Sequence, residues 1–122
     1  MKDDKETTHY KGLGLLLRLT ICKKYSLIKV GSHKERSFLT NSQGIKLLSL
    51  LLKNRGQIVR YATVAKYLEI NCYSDKYDNI YFSEYVKYAK ERLQKILKEC
   101  GMPVSKIKSF ILTITKQGYM VP

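Results

Sequence analysis

The stretch YFSEYVKYAKERLQKILK, residues 81–98, decides how the chain folds. On a helical wheel, Phe82, Val86, Ala89, Leu93, Ile96 and Leu97 fall within an arc of about 100°. That is the spacing of a helix burying one stripe. Opposite it lie Glu84, Lys87, Tyr88, Glu91, Gln94, Lys95 and Lys98, long side chains with hydrogen-bonding ends. Asp78 or Asn79 is placed to cap the start, and Gly101 with Pro103 closes the end. Such a stripe needs a partner, which the rest of the chain must supply.

The partner is upstream, in IKLLSLLLKNRGQIV, residues 45–59. Ile45, Leu48, Leu51 and Leu52 recur at helical spacing, and Leu47 and Leu50 widen the apolar surface. Asn41 or Ser42 supplies an N-cap, Lys53 and Arg55 suit the negative end of the dipole, and Gly56 ends the helix. Apolar on three sides, this helix is expected at the centre. An extended link, Ile58-Val59, leads to a second, short helix marked by Tyr61, Val64, Ala65 and Leu68. Residues 69–80 form a polar loop.

Further out the period changes to two. Leu13, Leu15, Leu17, Leu19 and Ile21 share one face, with Arg18, Thr20 and Cys22 on the other, which predicts a strand. Tyr25–Val30 and Ser37–Leu39 complete a small antiparallel sheet. Residues 1–11 are expected to be a flexible polar tail. Beyond the third helix, Phe110, Leu112 and Ile114 alternate with Ile111, Thr113 and Thr115. A Lys116-Gln117-Gly118 turn leads into Tyr119–Val121, giving a hairpin over residues 110–121. The expected fold is α+β: a three-helix bundle with an N-terminal antiparallel β-sheet and a C-terminal β-hairpin, one domain over residues 12–122.

Composition bounds the function. A chain of 122 residues with 44% hydrophobic residues supports one core. Lys and Arg number 23 against 10 Asp and Glu, a formal net charge of +13. Residues 1–6 hold three of the acids and two lysines, so the positive excess belongs to the rest of the chain. Such a surface attracts polyanions. No apolar run reaches the length of a membrane span, and the opening MKDDKETTHYKG lacks the apolar core of a secretory signal. Cys22, Cys72 and Cys100 are widely spaced and odd in number, which reads as free thiols in a reducing cytoplasm. His9 falls in the tail and His33 in a turn. With no paired carboxylates, metal-ligand spacing, Gly-rich phosphate loop or nucleophile–base pair, no catalytic residue, metal or cofactor is expected.

Sheet, three helices and hairpin in that order is the layout of a winged helix-turn-helix. In it the third helix enters the major groove of double-stranded DNA and the hairpin acts as the wing. Lys87 and Lys95 can bond phosphates or guanine, Gln94 adenine, and Glu84 and Glu91 the amino group of cytosine. Lys98 adds charge and Tyr88 a flat face. The competing reading is a solvated face laced by the i,i+4 pairs Lys87–Glu91 and Glu91–Lys95. Arg60 and Tyr61 open the second helix, where backbone N–H groups favour a phosphate. Lys116 and Gln117 sit at the hairpin tip, placed for phosphate or minor groove. Lys106 and Lys108 read as diffuse electrostatics. Tyr67, Tyr73, Tyr77, Tyr81, Tyr85 and Tyr88 cluster, some suited to stacking and several to packing.

From residue 38 onward the chain resembles the OmpR/PhoB-type effector domain of bacterial response regulators. Residues 45–59 look like that family's first helix and following turn. ILTITKQGYMVP, residues 111–122, is similar to its wing, keeping Thr113, Ile114, Gly118 and Tyr119. ERLQKIL, residues 91–97, follows its recognition-helix tail in outline. There are departures. Thr115-Lys116 stands where the wing has Arg-Gly, Arg60 where serine opens the second helix, and Gln94 where arginine is common, so no base preference carries over. A chain of this length leaves no room for a receiver domain, so phosphorylation at an aspartate here is not expected. The resemblance implies a stand-alone, cytoplasmic, sequence-specific DNA-binding regulator of transcription, from a bacterium or a mobile element. It further implies tandem or dimeric binding to direct repeats, RNA polymerase as a further partner, and no membrane. The alternatives are a DNA-binding accessory factor of plasmid transfer or replication, and a winged helix used for protein–protein docking.

Overall fold

The computed structural model describes residues 5–70 and 79–122, with side chains in the second segment from Phe82 onward. The order of elements is β1 (Glu6–Gly12), β2 (Leu15–Ile21), β3 (Tyr25–Val30), β4 (Arg36–Leu39), α1 (Gln43–Lys53), β5 (Val59–Arg60), α2 (Tyr61–Tyr67), α3 (Asn79–Glu99), α4 (Val104–Phe110), β6 (Leu112–Ile114) and β7 (Gly118–Met120). The class is α+β. Strands β1-β2-β3-β4 form an antiparallel sheet in sequence order, and β5-β7-β6 form a second, small one.

The N-terminal sheet is larger than the period-two signal indicated. Residues 6–12 are not a polar tail but an edge strand. The buried anchor is Tyr10, 2% exposed, whose ring meets Phe110 of α4 edge-on at 4.9 Å and lies under the Arg55 guanidinium at 4.2 Å. The strand looked solvated because its alternate residues, Thr7, His9 and Lys11, sit on an uncovered face. Leu13 does not begin the next strand. Leu13 and Gly14 both have positive φ, 54° and 70°, and make the two-residue turn that suits the right-handed twist of a hairpin. The alternation of Leu15, Leu17, Leu19 and Ile21 then holds, with Leu17 and Leu19 buried. Tyr10, Ile28 and Val30 join them on the inner face.

Helix α1 is capped by Ser42, whose Oγ accepts the Ile45 N–H at 3.2 Å. Asn41 has no such role. Ile45, Leu47, Leu48, Leu50, Leu51 and Leu52 are all buried, as expected of a central helix. The stripe of α3 packs against α1 and α2, with Val86, Ala89, Leu93 and Leu97 fully buried. Gly44 makes the close approach of α1 to α3 possible. A β-carbon there would stand 2.8 Å from Ile96 Cδ1 and 3.1 Å from the Leu93 backbone nitrogen.

Among the described residues the bundle has four helices, not three. Phe110, expected in the hairpin, instead ends a fourth helix, α4 (Val104–Phe110), with Pro103 at its N-cap and Ile107 and Phe110 buried one turn apart. Proline is tolerated at a helix start because its missing N–H would have no helical partner. The hairpin is accordingly shorter than residues 110–121. Gly118 opens β7 instead of sitting in the turn, and the loop is Thr115–Gln117. The expected polar loop beyond Ile70, its Asp78 cap, Cys72, and Tyr73, Tyr77 and the Tyr81 side chain lie outside the described residues.

Candidate nucleic-acid interface

On α3 the side opposite the core is open. Glu84, Lys87, Tyr88, Glu91, Lys95 and Lys98 are exposed, Tyr88 at 58%. Among the described residues Lys87, Glu91, Lys95 and Lys98 take part in no ion pair, so the Lys87–Glu91 and Glu91–Lys95 pairs of the competing reading are not made. Gln94 departs from the expected position. It is half-buried on the flank of the exposed face, because its wheel position lies nearer the stripe than those of Lys95 and Lys98. The opposite flank carries a residue that the sequence reading passed over: exposed Arg92, its guanidinium 5.9 Å from the Tyr88 ring centre, one turn away. The i,i+4 spacing of Tyr88 and Arg92 was the available signal.

The hairpin is tied to this helix by Lys90. Its ammonium donates to Thr113 Oγ1 on β6 and stands 5.5 Å from the ring centre of Tyr119 on β7. Thr113 and Tyr119 are directly opposite each other in the hairpin. Burial lowers the Lys90 pKa; neighbouring Glu91 opposes the shift and Lys87 adds to it. The Tyr119 hydroxyl is pushed well above its ordinary range, first by burial and then by Tyr61, Glu91 and Glu84. The N-terminal half of the exposed α3 face therefore adjoins the hairpin.

Of the residues expected at the start of α2, Arg60 is exposed and makes no side-chain capping bond. Tyr61 is a correction. Its side chain is 5% exposed and packs edge-on against Tyr119 at 5.2 Å. Its backbone N–H, expected to await a phosphate, donates to the Gln117 carbonyl at 3.3 Å. An aromatic at the first position of this short amphipathic helix lies on the buried side with Val64, Ala65 and Leu68. The Tyr61–Gln117 bond and the Arg60–Gly118 register set Arg60 beside the tip of the hairpin, where Lys116 and Gln117 are exposed. Lys116 adopts a left-handed backbone, φ 63°.

No family model, curated protein or solved structure matches the chain.

The remaining basic candidates divide. Lys106 is not diffuse charge: its ammonium donates to the Leu13 carbonyl at 2.7 Å and holds the β1–β2 turn. Lys108 is exposed. Tyr67 and Tyr85 are about two-fifths exposed, at 41% and 40%. Among the described residues no three His, Cys, Asp or Glu side chains come together as a metal site, and no helix is long and apolar enough to cross a membrane.

Proposed function

We propose that this chain is a winged-helix protein that binds double-stranded DNA and regulates transcription, with α3 in the major groove and the β6–β7 hairpin as the wing. The observation that carries the reading is α3 itself. One side is sealed against α1 and α2, while Lys87, Lys95 and Lys98 on the other are exposed and form no ion pair among the described residues, next to a hairpin that presents Lys116 and Gln117. The order of sheet, helices and hairpin supports it, with α4 an addition.

Mechanistically, the cations neutralise phosphates and release counterions, which supplies most of the affinity. Tyr88, Glu91 and Lys95 meet base edges, and Arg60 and Lys116 fix the register from the backbone. Gln94, on the flank, reaches the groove edge. Lys90 holds the two contact elements at a fixed angle. Five cations (Arg60, Lys87, Lys95, Lys98 and Lys116) give a plot of log affinity against log salt with a slope of about −4 to −5, at roughly 0.9 per phosphate. Fluorescence anisotropy on duplexes selected from a random pool measures it. A flat salt response, or recovery of no duplex at all, would reject the reading.

A further inference from the structure

The positive charge of the chain is not concentrated on α3. Residues 79–99 carry five Lys and Arg against three Glu, whereas residues 5–40 carry eight against two. The N-terminal sheet buries its inner face, whereas His9, Lys11 and Leu16 on its outer face are exposed. On that outer face His9 pairs directly across from Arg18, and Arg18 from Lys29. Lys11 lies two residues along β1, opposite Leu16. With strands about 4.8 Å apart and residues about 3.4 Å apart, these four side chains mark out a patch of roughly 7 by 10 Å. Like charges set directly opposite in a sheet destabilise it. Glu35 offsets one of them, bonding Arg18 at 2.8 Å, and Lys29 gives one of its three donors to the His33 carbonyl. Lys11 and Lys29 have no acidic partner among the described residues.

Beside these cations the surface is apolar and hollow. Leu16 is 58% exposed, and Gly31, bonded to the Leu16 carbonyl, contributes no side chain; a β-carbon there would meet nothing within 4 Å. The cleft between Lys11, Leu16 and Lys29 follows from that gap. Phosphate backbones favour polar, strongly positive surfaces. An exposed leucine flanked by lysines instead complements carboxylates alternating with an apolar side chain. In an extended peptide, residues four apart stand about 13 Å apart with one side chain of the same face between them, which suits the roughly 12 Å diagonal from Lys11 to Lys29.

We propose that the outer face of the β1–β4 sheet docks an extended acidic peptide segment bearing an apolar side chain. The carboxylates pair with Lys11 and Lys29, and the apolar group fills the hollow beside Leu16 and Gly31. This site is independent of the duplex-binding reading.

The probe is a fluorescein-labelled peptide of repeated Asp-Glu-Leu, followed by anisotropy at low salt and by amide chemical shifts of the full chain. Binding is expected to perturb Lys11, Leu16, Arg18 and Lys29. Lys11→Glu with Lys29→Glu should weaken it roughly tenfold or more, since exposed charges act strongly at low ionic strength. Leu16→Ser, which removes no core residue, should weaken it a few-fold, and so should replacing the peptide leucines by glycine. Lys87→Ala with Lys95→Ala should leave it unchanged. Unaltered binding by the Lys11/Lys29 variant, equal binding of the leucine-free peptide, or shifts confined to α3 would overturn the proposal. So would a larger loss for a single-stranded oligonucleotide than for the peptide, which assigns the face to nucleic acid.

Discussion

Gly118 and Lys90 show how single residues set the hairpin. Gly118 lies directly opposite Arg60, and a β-carbon there would collide with the Val59 carbonyl, so β5 and β7 pair only because that side chain is absent. Gly118→Ala should therefore cost about 2–3 kcal/mol, the upper part of the usual range for forcing atoms into a filled site, and lower the melting temperature by about 8 °C or more. An unchanged calorimetric transition would mean that the two strands are not so close. Lys90 acts differently, by holding Thr113 and Tyr119. Lys90→Met keeps the aliphatic stem and removes the ammonium, at a cost of about 1 kcal/mol. If it fixes the wing, Lys116→Ala should cost much less duplex affinity in the Lys90→Met background than alone. Additive losses in that double-mutant cycle would make Lys90 a stabilising contact only. Neither role was fully legible. The resemblance picked out Gly118, but Lys90 occupies the border of the wheel and bonds a threonine 23 residues away, a pairing no local pattern encodes.

At the scale of elements, what the sequence disclosed depended on how much of each element is buried. Helix α3 was readable because its stripe repeats over several turns and its opposite side is wholly polar. Helix α1 was readable for the same reason, together with its cap. Strand β1 was not, since its outer face is uncovered and leaves Tyr10 as its one fully buried side chain. Helix α4 was missed because its two buried residues, Ile107 and Phe110, fit a single turn, and Phe110 also continues the alternation of Leu112 and Ile114. The same logic gives α3 a clean test. Lys87 and Lys95 lie two turns apart on the exposed face and touch nothing in the core. Lys87→Ala with Lys95→Ala should hold the melting temperature, as surface changes shift stability within about 0.5 kcal/mol. It should weaken duplex binding about tenfold or more and make the salt slope shallower by about 2. Full affinity with an unchanged slope would remove α3 from the interface.

Across the whole molecule, the buried acidic protons are spread through every layer, which makes alkaline pH a test of how the layers hold together. Tyr10 joins the N-terminal sheet to α4, Tyr61 and Tyr119 join α2 to the small sheet, and Cys100 closes α3. Burial raises the pKa of all four, that of Cys100 from 9.0 to about 11, against a smaller opposing effect of Arg36. A folded-state pKa above the unfolded value means that the native state holds its proton more tightly. The stability this contributes is complete below the unfolded pKa and is lost as pH rises through the folded one. For Cys100 the window is about pH 9 to 11, and two pH units correspond to roughly 2–3 kcal/mol. Lys90 has the opposite sign: its lowered pKa makes folding more favourable as pH climbs toward 10.5. Its side chain is partly solvated, so that gain is the smaller effect. Urea unfolding should therefore give a constant midpoint up to about pH 9 and a falling one above it. Cys100→Ala should flatten the first part of the fall, leaving the tyrosines to act above pH 10. Because one buried cluster joins Tyr10, Leu17, Leu19, Ile28 and Val30 of the sheet to the helices, sheet and helices should unfold in a single transition throughout. Separate transitions for tyrosine absorbance and helical circular dichroism would show instead that the N-terminal sheet and the helical bundle are energetically distinct.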